Sequence, residues 1–101
     1  MKRWQKIDLF GRTFELDTKN TIAYEPIAYI NLDACYGRCS EMKRTIWKQW
    51  ESWFNANNGF CSVASHNSHF FTIEGYVRDS DERQMYYCRI TPAHNYCVKV
   101  D

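Results

Sequence analysis

The sequence predicts an α+β domain in which a bent antiparallel β-sheet packs on one amphipathic helix, in the order βββ-α-ββββ. Three observations carry this. A single segment has apolar residues at helical spacing, with Met42, Ile46, Trp50, Trp53 and Phe54 on one stripe. On both sides of it, short runs alternate apolar and polar residues and are separated by short polar turns. The length of 101 residues suits one core and is too little for two, so residues 1–101 read as one domain.

Ile7 and Leu9 alternate in the first run and Phe14 and Leu16 in the second, with Gly11-Arg12 between them, which predicts an N-terminal hairpin. Asp17-Thr18-Lys19-Asn20 has turn composition. A third strand is expected from Thr21 to Asn31, where Ile22, Tyr24, Ala28 and Ile30 share one parity, and Pro26 places it at an edge or bulge. The helix is expected from about Ser40 to Asn57, with Ser40 as N-cap and Asn58-Gly59 as a left-handed stop. Four strands follow at Phe60–Ser65, Phe70–Arg78, Gln84–Thr91 and Tyr96–Val100, each pairing with its neighbour as a meander. One helix cannot cover both faces of such a sheet, so either the sheet curls or one face stays open. The final strand is expected at an edge, where it could pair with a second copy. Lys99 and Asp101 blunt that edge, so a monomer or weak homodimer is expected.

Aromatic residues make up 17% of the chain (4 Trp, 7 Tyr and 6 Phe), more than a core of this size needs. The net charge of +1 argues against a protein that coats polyanions. Residues 1–50 carry nine basic and six acidic side chains and residues 51–101 carry four and six, a polarity that favours oriented docking. Met1-Lys2-Arg3-Trp4 opens no apolar leader and no long apolar run occurs. The five cysteines, Cys35, Cys39, Cys61, Cys88 and Cys97, therefore read as reduced thiols of a cytoplasmic protein.

Cys35-x3-Cys39 with His66-x2-His69 supplies the donor types of a zinc site, but zinc knuckles usually space their cysteines by two residues, so a small structural zinc protein is a minor alternative and no cofactor is expected. Cys97 with His94, or Cys61 with His66, has no third group to orient the imidazole, and no enzymatic activity or catalytic residue is expected. Asp79, Asp81 and Glu82 form an acidic loop tip, too short for a calcium loop and suited to a basic partner. Trp47, between Arg44 and Lys48 and close to Lys43, is displaced from the apolar stripe and has the composition of a protein-binding hot spot on a partly exposed face. Aromatic strands with Arg78, Arg83 and Arg89 leave a second reading open, a single-stranded nucleic-acid binder with OB-like connectivity.

In length, aromatic content and layout, down to the terminal hairpin Met85-Tyr86-Tyr87-Cys88-Arg89-Ile90-Thr91-Pro92-Ala93-His94-Asn95-Tyr96-Cys97-Val98-Lys99-Val100, the chain resembles in type the small phage-encoded host-takeover proteins, anti-CRISPR inhibitors among them. That resemblance implies a non-enzymatic protein that binds and blocks a bacterial nucleic-acid-processing complex in the host cytoplasm. The expected partner contacts are Lys43, Arg44, Trp47, Lys48, Asp79, Asp81 and Glu82.

Overall fold

The computed structural model describes residues 2–27, 41–57, 59–66 and 71–101, with backbone alone at 41–43, 60, 62–66 and 71. It is an α+β fold in which strands and helix follow the predicted order. Strands β1 (Trp4–Leu9) and β2 (Arg12–Ile22) precede helix α1 (Glu41–Ala56), and β3 (Phe60–His66), β4 (Phe71–Arg78), β5 (Met85–Ile90) and β6 (Asn95–Val100) follow it. The strands form one six-stranded sheet in the spatial order β1-β2-β6-β5-β4-β3.

The N-terminal hairpin closes through a two-residue turn at Phe10-Gly11, where φ is 52° and 81°. A positive φ at both central residues matches the right-handed twist of the flanking strands. Gly11 meets this demand without strain, whereas a phenylalanine is a costly choice. Its half-buried ring packs edge-on to Trp53 at 6.3 Å, and its carbonyl accepts a hydrogen bond from Trp53 Nε1 at 3.3 Å, so tertiary contacts hold the turn.

The expected turn at Asp17-Asn20 is instead a bulge within β2. Leu16 lies opposite Cys97 and Thr21 opposite Lys99, so β2 takes five steps where β6 takes two. Turn-forming residues here absorb surplus chain rather than reverse it. Asp17 accepts from the Lys19 amide at 3.1 Å, from Asn20 Nδ2 at 2.9 Å, and from Arg3 Nε and Nη2 at 3.2 and 2.9 Å. The strand then resumes at Thr21 and Ile22, the start of the third predicted strand, and residues 28–31 of that strand lie outside the described residues. Strand character ends before Pro26, which has no amide hydrogen for a ladder.

The hydrogen bonds from Arg3 and then Asn20 hold the Asp17 carboxyl well below its ordinary range, against the opposing effect of desolvation. A depressed carboxyl contributes stability that is present above its unfolded pKa of about 4 and is lost as pH falls below that value. Asp17→Asn is accordingly expected to lower stability at neutral pH and to flatten the acid limb of a urea-midpoint profile below about pH 4. An acid limb as steep as that of the unsubstituted protein would place the titrating group elsewhere.

β3, β4, β5 and β6 form the predicted antiparallel meander. β6 is not an edge, however, because it pairs parallel with β2 on its other side. Among the described strands the edges are β1 and β3. The described strands therefore make an open sheet rather than an OB barrel, in which the outer strands would close on each other.

Helix α1 lies on one face of the sheet. Trp47, Trp50, Trp53 and Phe54 pack with Leu9, Phe14, Leu16, Ile73, Val77, Cys88, Ile90 and Cys97. At its C-terminus the Gly59 amide donates to the Phe54 carbonyl at 2.9 Å and Asn57 Nδ2 to the Trp53 carbonyl at 2.7 Å, so terminal carbonyls find partners. Gly59 shows no left-handed φ, and Asn58, the other residue of the expected stop, lies outside the described residues. Gly59 is required by close packing, since a Cβ there would sit 2.3 Å from the Tyr76 carbonyl oxygen.

Candidate protein-binding surface

Strand pairing fixes which side chains share the face away from α1. Glu74 lies opposite Arg89, Arg89 opposite Tyr96, Tyr96 opposite Glu15 and Glu15 opposite Lys6, giving one row across five strands. Tyr76, Tyr87 and Val98 form the next row, and Trp4 joins from β1 opposite Asp17. The alternate residues Ile73, Cys88, Cys97, Leu16 and Phe14 point into the core, as a two-residue period demands.

The rings on this face hold one another. Trp4 meets His94 and Tyr96 edge-on, with centroids 5.1 and 5.8 Å apart, and His94 lies 5.2 Å from Tyr96. The Arg3 guanidinium lies 5.0 Å from the Trp4 ring, and His94 Nε2 is 3.3 Å from Glu15 Oε1. Tyr87 donates its hydroxyl to Glu74, and burial together with this bond pushes its pKa well up, so the phenol stays protonated. Burial disfavours the charge on Arg89, but the neighbouring Tyr87, Tyr96 and Glu74 outweigh it and the guanidinium remains fully charged. Trp4, Tyr87, Arg89, His94 and Tyr96 are all half-buried, so each keeps accessible surface. At the other end of this face, Tyr24 is 45% exposed and lies 5.0 Å from Tyr76, whose hydroxyl accepts the Glu25 amide at 3.3 Å.

The predicted contacts are dispersed. Trp47 is 1% exposed and belongs to the core, which corrects its placement on a partly exposed face. At about 100° per residue it lies within about 20° of Phe54 around the helix axis, so the spacing of seven was the signal, and a stripe drawn through Met42 and Ile46 missed it. Arg44 and Lys48 are exposed on α1, where Lys48 shares a groove with Arg12, while the side chain of Lys43 lies outside the described residues. The Asp79 carboxylate is occupied within its own loop, where Oδ1 accepts the amides of Arg83 at 2.8 Å and Gln84 at 3.4 Å. Asp81 and Glu82 project from the tip. That loop adjoins Val100, whose carbonyl accepts from Gln84 Nε2 at 3.0 Å. Val100 pairs with Ile22, and with the bulge in β2 about seven ladder steps, roughly 23 Å, separate Ile22 from Arg12, so the acidic loop and the basic groove stand at opposite ends of the sheet.

Burial pushes the Cys97 thiol up to about 12, and burial with the nearby charge of Glu51 does the same for Cys61. Cys88 is raised by burial and by Cys97. These thiols are protonated and poorly nucleophilic at neutral pH. His94 turns its Nε2 to Glu15, while Cys97 is on the core side of β6, so the two do not form a pair. Cys35, Cys39 and His69 lie outside the described residues, as does the side chain of His66, and no group of three or more metal-ligating residues occurs among the described ones. No described helix is long and apolar enough to cross a membrane. No family model, curated protein or solved structure matches the chain.

Proposed function

We propose that the protein is a non-enzymatic protein-binding module that docks through the sheet face opposite α1. The observation that carries this is the composition of that face: its accessible aromatic and arginine residues include Trp4, Tyr87, Arg89, His94 and Tyr96, beside the buried Tyr76 and Val98. Tryptophan, tyrosine and arginine dominate the energetic centres of protein interfaces, while an ordinary solvated sheet face is rich in lysine, glutamate, serine and threonine. The ring contacts and the Tyr87–Glu74 hydrogen bond hold the side chains in place, which lowers the entropy lost on docking. Edge-on packing occupies ring faces that bases would need, and Glu15 and Glu74 stand in the same row, so the surface suits a polypeptide better than a single strand of nucleic acid.

The partner proposed is a bacterial nucleic-acid-processing complex, blocked in the manner of the small phage inhibitors that the chain resembles. Asp81 and Glu82 stand at the rim of the docking face. Arg44 and Lys48 lie across the sheet and act on the approach of the partner.

The test is capture of one such complex in fixed stoichiometry after nuclease treatment. Trp4→Ala with Arg89→Ala, in protein shown by circular dichroism to be folded, is expected to weaken capture by about 30-fold or more. Reversing Arg44 and Lys48 should slow association at low salt and leave dissociation unchanged. Capture that disappears with nuclease would favour the nucleic-acid reading, and capture unaffected by the Trp4 and Arg89 substitutions would move the interface off this face.

A further inference from the structure

We propose that the outer edge of β1 is self-complementary and pairs antiparallel with β1 of a second copy of this chain, about a two-fold axis at Ile7. β1 is at the edge of the sheet, and no described residue bonds to its outer side. The Thr18 amide donates to the Arg3 carbonyl at 2.7 Å, which makes Arg3 and Thr18 a hydrogen-bonded pair. Such pairs alternate along an antiparallel ladder, so Gln5, Ile7 and Leu9 turn their backbone groups to β2, and Trp4, Lys6 and Asp8 turn theirs outward.

An approaching copy must match outward groups with outward groups, which leaves few registers. One sets Lys6 against Lys6 and another sets Asp8 against Asp8, and both place like charges in direct opposition. The register centred on Ile7 sets each Lys6 against the partner's Asp8. Both of these pairs are hydrogen-bonded and of opposite charge. Lys6 and Asp8 are exposed, and Lys6 already lies opposite Glu15 within its own chain, so it would stand between two carboxylates. On the helix side of the sheet, the half-buried Ile7 would meet the partner's Ile7 and extend the apolar layer. Among the registers that set Lys6 and Asp8 against themselves or each other, the charges that discourage promiscuous edge pairing thus favour the one centred on Ile7. An interface of one strand pair is small, so the dimer should be weak and salt-sensitive.

Sedimentation equilibrium at low salt is expected to show a monomer–dimer equilibrium at concentrations up to about 1 mM. Lys6→Glu alone and Asp8→Lys alone should each weaken association by roughly tenfold or more, because each sets like charges opposite one another. An equimolar mixture of these two variants should associate again as a heterodimer, since both cross-strand pairs are then of opposite sign. The Asp8 Oδ1 also accepts the Gly11 amide at 3.1 Å, so Asp8→Lys could disturb the turn. A second measurement therefore uses the unsubstituted protein. On raising its concentration, hydrogen exchange should slow at the outward amides of Lys6 and Asp8 and stay unchanged at Gln5 and Ile7. A monomer throughout this range, a dimer indifferent to Lys6→Glu, or protection that rises equally at all four amides would each overturn the proposal.

Discussion

Trp47→Ala is expected to lower the unfolding free energy by about 3–5 kcal/mol, the range for removing a large aromatic side chain from a packed core. Trp47 is 1% exposed and lies among Trp50, Trp53, Phe54 and the sheet residues beneath them. Its removal takes away contacts that a neighbouring backbone cannot move in to replace, because helix and strands are both held by their own hydrogen bonds. A domain of this length has roughly 5–15 kcal/mol in total, so the variant should be close to unfolding at 37 °C. Urea denaturation followed by far-ultraviolet circular dichroism measures the effect without confusion from four tryptophans. Trp47→Phe, which keeps most of the volume, should recover more than half of the loss. If Trp47 were instead a docking residue, the alanine variant would bind poorly at unchanged stability, and that outcome would contradict the burial described above.

Gly59→Ala should be nearly as damaging although it adds only a methyl group. The new Cβ would lie 2.3 Å from the Tyr76 carbonyl oxygen, 2.9 Å from Val77 Cγ1 and 3.2 Å from the Phe54 carbonyl oxygen. The first of these is backbone in a strand with a neighbour on each side, since Tyr76 lies opposite both Phe60 and Tyr87. It cannot turn aside as a flexible side chain would. The strain must move the end of α1 away from β4, loosening the bond from the Gly59 amide to the Phe54 carbonyl. A cost of about 3 kcal/mol, at the upper end of overpacking penalties, is expected. Gly11→Ala makes the comparison informative: a Cβ there meets nothing within 4 Å, and the penalty arises only from φ at 81°. It should cost about 1 kcal/mol. Equal effects at the two glycines would show that backbone conformation, not crowding, limits both.

What could be read from the sequence was local. The α1 stripe, the N-terminal hairpin and the meander each follow from a period or a turn within a few residues, and the structure contains all three. The parallel pairing of β2 with β6 has no such signal, because nothing near Leu16 in sequence specifies Cys97 as its neighbour. That one pairing turned β6 from an edge into an interior strand. Asp17 was misplaced for a related reason: its composition announces a departure from regular strand, and only the opposing strand determines whether that departure is a turn or a bulge. The surface residues divide in the same way. Exposure of Asp81 and Glu82 follows from their position on a loop tip, whereas the row Lys6, Glu15, Tyr96, Arg89 and Glu74 comes from five strands and exists only once the register is known.

The junction of β2 with β6 also governs how the chain reaches this structure. The Thr21 hydroxyl bonds Asp101 across 80 positions of sequence, and the Asp101 amide donates to the Ile22 carbonyl at 2.8 Å. Contacts of such high contact order cost loop-closure entropy before they give any return, which places folding towards milliseconds to seconds rather than microseconds. During synthesis the β1–β2 hairpin emerges before β6 and must present Phe14 and Leu16 to solvent until β6 arrives beside it. The sheet therefore stays incomplete on the ribosome for the whole interval between β2 and β6, and in that interval a chaperone that shields apolar strands can act on this hairpin.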